Sequence, residues 1–351
     1  MEMTETGLHR ACNSMIQEIE KDPRFLASKF WTDIGQKNMA MLDDRGLDNF
    51  KRTVSQNYFN WVVGKGAPMV RHVFLNWLKR PTLNPWRSSI EDDVTLSFTT
   101  HETPVTLTTK QKNHYRRFVT YLWDLMVRID KRKLHVHLSE PSLGNPIKIR
   151  LGERLISQDL ANSIIEANVI ADLLDSPSSQ RRVAEVGAGS GRLAQVFTET
   201  LQGRYVIFDI PPALYVSQWY LSQLFPNKKI FTFRPFADFS VIEAELSSAD
   251  IAFFTANQIT KFPDGYFNVM LSISTLPEMS REQVALYIDL FQRKSADYIY
   301  LKQWKRWKNP LDGTDIGPDD YIDGNEWKLS RDFSDPIVPE FFNRIWHREI
   351  K

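Results

Sequence analysis

The residues best placed by type and spacing to do chemistry are the run Glu185-Val-Gly187-Ala188-Gly189-Ser-Gly191, which leaves one apolar segment and leads into an amphipathic one. Gly187 and Gly189 can take backbone angles closed to other residues and let the chain approach a ligand without a Cβ clash. A helix starting behind them offers free N–H groups. Eighteen positions beyond Gly191, Asp209 ends the next predicted strand, placed to accept two hydrogen bonds from a ribose diol. Bonds to a charged acceptor contribute roughly 1.5–3 kcal/mol each, so this placement matters. A dinucleotide fingerprint would need glycine at 192, where Arg192 stands; the observed spacing is GxGxG. Glu185 supplies negative charge where NAD would bring its own. A nucleoside bearing a positive sulfonium and no pyrophosphate fits better, against the plainer alternative of a glycine-rich turn with no ligand.

Elements that position this run can be read from periodicity. From 182 onward, short apolar runs alternate with amphipathic helices. Strands are predicted at 183–186, 205–208, 230–233, 251–255, 267–273 and 298–301, and helices at 192–200, from 210 through 221, and from Ser280 onward. Ser280 and Gln283 have capping-box spacing. Alternation of this kind predicts an α/β fold, a parallel sheet covered by helices on both faces, with ligands at the carboxyl ends of the strands. Residues 11–135 read as helical instead, with one stripe at Met69, Val70, Val73, Phe74, Trp77 and Leu78 and a second at Phe118, Leu122, Leu125, Met126 and Ile129. Pro81 and Pro85 separate the two stripes, and Ser139 to Pro146 is the best boundary. Beyond it, a helix of about 17 residues follows Ser157 as N-cap, with Asp159 near its positive end. The expected domains are therefore 1–140, mainly helical, and 141–351, carrying the glycine loop and a lid-like insertion near 305–327.

Composition limits the function classes. Lys plus Arg (44) nearly cancels Asp plus Glu (43), so no global field draws the chain to nucleic acid or acidic lipid. Cys12 is the single cysteine, which excludes an internal disulfide framework and any CxxC site. There is no run of about 18 apolar residues and no signal-peptide core, so a cytoplasmic protein with no membrane partner is expected.

With these residues in view, the stretch 183–304 resembles a class I S-adenosylmethionine-dependent methyltransferase. A longer likeness, over roughly 140–304, is to a bacterial family described as sugar O-methyltransferases. It is carried by Gly144-Asn-Pro146, Ser157-Gln-Asp-Leu160 with Asn162-Ser163, Asp209-Ile-Pro-Pro212, Phe262-Pro-Asp-Gly265 with Phe267, and Ser274-Thr-Leu-Pro-Glu-Met279. The resemblance implies a Rossmann-like class I methyltransferase sheet with S-adenosylmethionine as cofactor. It implies that Glu185, Gly187, Ala188, Gly189 and Gly191 hold the methionine moiety, that Asp209 holds the ribose, and that Ile210 lies against the adenine. Asn257 and Gln258 are candidates to read the adenine amino group, and Ser272 is a further cofactor-facing candidate. Asn268 stands where the family's fourth strand more often carries Asp. The Asp209-Ile-Pro-Pro212 run follows the second strand rather than the fourth, which argues against an amino-group methylase of nucleic acids.

Methyl transfer to a hydroxyl requires an oriented acceptor and a group to take its proton. Glu278, just beyond the fourth strand of the resemblance, is the first candidate. His135 and His137, on one face of a strand predicted over 134–138, are the others. No metal site is indicated, since the acidic stretch Asp312, Asp315, Asp319, Asp320, Asp323 and Glu326 lacks EF-hand spacing. Lys110, Lys112, Arg116, Arg117, Arg128, Lys131, Arg132 and Lys133 read as a solvated outer face, with a phosphorylated acceptor or a nucleic acid as the rival reading. Trp304, Trp307 and Trp327 are expected to wall the acceptor pocket opposite the helical domain. The expected function is methyl transfer to a hydroxyl of a small molecule, a sugar or glycosylated metabolite, with a homodimer as an open partner expectation. The alternatives are O- or N-methylation of an aromatic or peptide-derived product, and a non-catalytic cofactor-binding module.

Overall fold

The computed structural model describes residues 7–57, 67–174, 177, 180–309, 313–322 and 326–349. Of the acidic stretch, Asp312 and Asp323 lie outside the described residues.

The amino-terminal half is helical where its apolar periodicity is helical. Helices α1 (Gly7–Ile19), α2 (Lys29–Arg45), α3 (Pro68–Lys79) and α4 (Thr109–Ile129) precede α5 (Gln158–Ala171). The stripe on α4 is buried at Phe118, Leu122, Leu125 and Met126, but the stripe on α3 is only half used: Met69 and Val73 are buried while Phe74 and Leu78 are exposed. The sequence reading missed three short strands here, Ser88–Ile90, Thr95–Leu96 and Val105–Thr106. The segment 134–138, expected as a strand, contains a single 3-10 turn, Leu134–His137. Ser157 caps α5 as expected, accepting from the Leu160 N–H at 3.0 Å.

Beyond 181 the chain builds an eight-stranded sheet. Its strands are β1 (Arg182–Val186), β2 (Arg204–Asp209), β3 (Ile230–Phe231), β4 (Ile251–Thr255), β5 (Phe267–Ile273), β6 (Ser295–Trp304), β7 (Trp327–Ser334) and β8 (Phe341–Arg348). They lie in the order β7-β8-β6-β5-β1-β2-β4-β3. The six from β3 to β6 are mutually parallel, and β8 and β7 add an antiparallel edge that the sequence reading did not foresee. Helices α6 (Arg192–Thr200), α7 (Ala213–Leu224), α8 (Glu243–Ser248) and α9 (Arg281–Lys294) connect or follow the strands. This is the Rossmann-like sheet of class I methyltransferases. Strand side chains alternate between two apolar layers: Val183, Tyr205, Ile207, Phe253 and Leu271 face one, while Ala184, Val206, Phe208, Phe254 and Met270 face the other. Burial on both faces explains why these strands read as continuous apolar runs.

The first layer does not stop at residue 140. Met15, Phe50, Phe118 and Leu122 join the same cluster as Leu160, Val183 and Tyr205. Ser88–Ile90 also pairs with Ile149–Leu151, which pairs with Arg154–Ile156, so backbone hydrogen bonds cross that position. Buried charges reinforce the joint. Glu166 of α5 meets Arg192 of α6 at 2.5 Å and Lys302 of β6 at 2.9 Å, and Lys302 meets Asp335 at 2.8 Å. The basic residues expected to form one solvated face divide: Arg116 is buried against the carbonyls of Pro85 and Ser88, whereas Lys110 is exposed.

Candidate functional site

Strand order reverses between β1 and β5, and the loops leaving β1, β2 and β5 meet there in a cleft. Gly187, with φ of 78°, opens the loop after β1; a Cβ there would fall 2.3 Å from the Thr275 hydroxyl, so this loop touches the one after β5 only because the side chain is missing. Gly191 starts α6 at φ 79°, and a Cβ on it would meet Leu221 of α7 at 2.9 Å. The amides of the loop's three glycines are engaged within the protein. Gly187 donates to the Phe208 carbonyl (2.9 Å), Gly191 to the Ala188 carbonyl (3.0 Å), and Gly189 to Oδ2 of Asp209 (2.8 Å). A pyrophosphate would need those donors, and a carboxylate stands in its place.

The electrostatics of the cleft follow from burial. Asp209 is 8% exposed, and its Oδ1 accepts from the Ile210 N–H at 2.7 Å. Burial pushes its carboxyl up to about 7, although the amides of Ile210, Gly189 and Ala188 pull the other way. Glu185 is 3% exposed and accepts from the Tyr205 hydroxyl at 2.8 Å. Burial pushes it up to about 7 as well, against the Tyr205 hydrogen bond and the charge of Arg192. Neither carboxylate has an ion pair among the described residues. A carboxylate has about four acceptor positions, so both retain capacity for a ligand. A group carrying a cation and hydroxyl donors fits this set; one carrying phosphate does not. Ile210, Ala256, Met279 and Tyr287 line the cleft beside Asp209 as an apolar surface suited to a flat ring.

The far wall comes from the amino-terminal region. Trp31 and Asn38 of α2 and Ser55 line the cleft together with Asp159 of α5 and Glu278. Glu278 ends a short 3-10 turn, Leu276–Glu278. Its Oε2 accepts from the Trp31 indole N–H at 3.0 Å, and its carbonyl accepts from the Ser28 hydroxyl at 2.8 Å. Ser28 also caps α2, accepting from the Trp31 amide at 3.3 Å, so the start of α2 is fixed on the Glu278 turn. Burial pushes the Glu278 carboxyl up to about 8, with the Trp31 hydrogen bond opposing.

Of the residues expected from sequence, Glu185, Gly187, Ala188, Gly189, Asp209, Ile210 and Glu278 line this one cleft, and Gly191 shapes its loop. Five others need correction. Asn257 accepts from Thr255 (2.8 Å) and donates to the Glu18 carbonyl (2.7 Å). Gln258 caps Thr255 and donates to the Arg234 carbonyl (3.0 Å). Both are turned to structural partners, and Ala256 takes the cleft-lining position instead. Ser272 is fully buried beneath Gln303, and Ile273, Ser274 and Thr275 reach the cleft. His135, whose Nδ1 lies 2.7 Å from Oδ2 of Asp130, and His137 line a separate groove with Leu83, Trp123 and Arg154, so the fold does not bring them to Glu278. Trp304, Trp307 and Trp327 are likewise elsewhere: Trp304 packs on Trp307 and Phe341, and Trp327 under Arg348. Sequence reasoning missed Trp31, Asn38 and Ser55 as cleft residues because no local pattern links them to a loop more than two hundred positions away. Asp159 was visible only as a residue favouring a helix start. Asn268 is structural, accepting from the Arg182 amide (2.9 Å) and donating to Asp297 (2.8 Å). Among the described residues, no group of three or more His, Cys, Asp or Glu is placed to hold a metal ion, and no helix is long and apolar enough to cross a membrane.

No family model matches the sequence, and no curated protein matches it. Solved structures that resemble it include several named as methyltransferases. Magnesium protoporphyrin IX methyltransferase from Synechocystis PCC 6803, with bound S-adenosylmethionine, is 13% identical, with a TM-score of 0.36 over 54% of this chain and 84% of that one. A Burkholderia thailandensis 1,6-didemethyltoxoflavin-N1-methyltransferase is 11% identical, with a TM-score of 0.37 over 55% of this chain and 79% of that one. A pyocyanin biosynthetic protein is 14% identical, with a TM-score of 0.33 over 54% of this chain and 57% of that one. Likeness at this level carries nothing about substrate or acceptor atom. The class I methyltransferase fold rests on the strand order of this chain's own sheet.

Proposed function

We propose that this chain is an S-adenosylmethionine-dependent methyltransferase that moves a methyl group to a hydroxyl of a small molecule, a sugar or glycosylated metabolite. The observation that carries the reading is the pair of buried, unpaired carboxylates, Glu185 and Asp209, set around a glycine loop whose amides are already engaged. Glu185 answers the positive end of the cofactor, Asp209 takes a ribose hydroxyl, and Ile210, Ala256 and Tyr287 flank the adenine. When bound, the cofactor supplies a methyl group already electrophilic on its sulfonium. The protein's share is to orient the acceptor, exclude water and receive a proton. Glu278 receives it: Trp31 holds one carboxyl oxygen, leaving the other for the acceptor, and the raised pKa makes the carboxylate a stronger base toward a hydroxyl. Residues 1–140 act as the cover of the acceptor pocket, a role supported by Trp31, Asn38 and Ser55 in its wall.

Parallel calorimetry with S-adenosylmethionine and NAD tests the cofactor, with binding of the first and not the second expected. Release of S-adenosylhomocysteine against panels of sugars, phenols and amines then tests the acceptor. Turnover with phenols or amines alone would overturn the sugar reading. Cofactor binding with no product in any mixture of cellular metabolites would favour a non-catalytic module.

A further inference from the structure

In the wall of the cleft contributed by α5 and the segment around residue 55, two polar side-chain atoms are buried without hydrogen-bond partners. Oδ1 of Asp159 and Oγ of Ser55 are shielded from solvent and make no hydrogen bond, although the residues are only 8% and 1% exposed. Gln158 beside Asp159 has both amide atoms in the same condition. A buried polar group left unsatisfied costs about 1–3 kcal/mol, so the fold retains these groups against its own stability. They do not relax onto one another, because their backbones are locked by one buried chain. Lys51, which leads into the Ser55 turn, pairs with Glu140 and donates to the Tyr220 hydroxyl at 2.9 Å; Tyr220 donates to Gln195 at 2.7 Å. Glu140 accepts from the Ser157 hydroxyl at 2.6 Å, and Ser157 caps the helix whose first turn carries Asp159.

We propose that Asp159 and Ser55 form a subsite for vicinal hydroxyls of a neutral polyol, which orients the methyl acceptor in the cleft. The proposal rests on the methyltransferase reading above. A carboxylate only accepts, and a hydroxyl both donates and accepts, so the pair suits an O–H donor whose neighbouring oxygen can return a bond. An anionic acceptor is disfavoured, because Asp159 shares the cleft with Glu185, Asp209 and Glu278. Arg192 also lines it, but its guanidinium is engaged by Glu166 and Ser163. Burial pushes the Asp159 carboxyl up to about 6, with Arg192 opposing, so it is ionised and accepting at neutral pH.

The test uses the full chain saturated with S-adenosylhomocysteine and titrated with methyl glucoside, methyl rhamnoside, glucose 6-phosphate and catechol at up to about 100 mM, followed by calorimetry or ligand-observed NMR. Binding of at least one neutral glycoside to the wild type is expected. Asp159→Asn and Ser55→Ala should each weaken it tenfold or more while changing affinity for S-adenosylhomocysteine less than twofold. Both variants should melt no lower than wild type, because neither removes a hydrogen bond. A tenfold loss of S-adenosylhomocysteine affinity in Asp159→Asn would move Asp159 to the cofactor's end and overturn the proposal. So would tighter binding of the phosphate than of any glycoside, no glycoside binding to the wild type, or glycoside binding indifferent to both variants. Failure of the wild type to bind S-adenosylhomocysteine at all would instead strike the methyltransferase reading.

Discussion

Lowering the pH from 8 to 6 should weaken S-adenosylmethionine binding, and the size of the effect can be worked from the cleft. Glu185 and Asp209 each titrate near 7 in the free protein because burial disfavours their charged forms. A ligand that brings a cation and hydroxyl donors selects the ionised forms, so binding must first remove any proton they carry. At pH 8 each carboxyl is about nine-tenths ionised, and at pH 6 about nine-tenths protonated, which gives a loss of about tenfold per carboxyl and up to about a hundredfold for both. Calorimetry at pH 6, 7 and 8, in pairs of buffers with different ionisation heats, measures the affinity and the protons released. Release should be greatest near pH 6 and close to zero at pH 8. Glu185→Gln should remove one of the two tenfold factors and leave the shallower slope due to Asp209. An affinity flat between pH 6 and 8, or tighter at pH 6, would refute the reasoning. The sign for the free protein is opposite. Carboxyls whose folded pKa is raised bind more protons folded than unfolded, so their contribution to stability falls as pH rises from about 4 through 7. Without ligand, the protein should therefore gain in melting temperature from these groups between pH 8 and 6, while stabilisation by the cofactor shrinks.

Three further outcomes are expected. Asp209→Ala should bind S-adenosylmethionine about ten- to a few hundredfold more weakly by calorimetry, with an unchanged circular dichroism spectrum. Glu278→Gln should keep cofactor affinity and lower kcat by about 10²–10⁴-fold, and wild-type kcat should rise with pH toward 8 as that carboxyl ionises; His135→Ala, in its separate groove, should leave kcat within twofold. Lys51→Met leaves Glu140 buried without its cation and should cost about 3–5 kcal/mol in urea unfolding, whereas Lys37→Met, which breaks an exposed pair with Asp33, should cost less than about 1 kcal/mol.

The glycine-loop half of the cleft is legible in the sequence because its determinants are local. A strand, Gly187, Gly189, Gly191, a helix and Asp209 follow one another along the chain, and each imposes its own backbone requirement. Helix bounds of 192–200 and strand bounds of 251–255 and 267–273 coincide with those observed, since apolar runs buried on both faces are bounded by turn residues. The opposite wall is not local. Trp31 reaches Glu278 across 247 positions, and nothing in the spacing of either segment marks the encounter. Asn257 and Gln258 misled because an amide after a strand has two uses, reading a ligand or closing its own turn, and the Thr255 capping box claimed Gln258. Antiparallel β7 and β8 escaped notice for another reason. Trp327 is the only buried residue of β7, so that strand has no apolar alternation to detect.

The apolar layer that runs from Met15 through Phe118 to Val183, and the strand pairing that joins Ser88–Ile90 to residues 149–156, have a consequence for how such a fold can diversify. Where a cover is a separate module, new substrates come by exchanging it. Here an exchanged amino-terminal region would take with it part of a hydrophobic core and an edge of a sheet, and the recipient would lose its fold before it gained a specificity. Change is thus confined to side chains that line the cleft, among them Asn38, Ser55 and Asp159. In the proposed reading, a library restricted to those three positions samples acceptor preference.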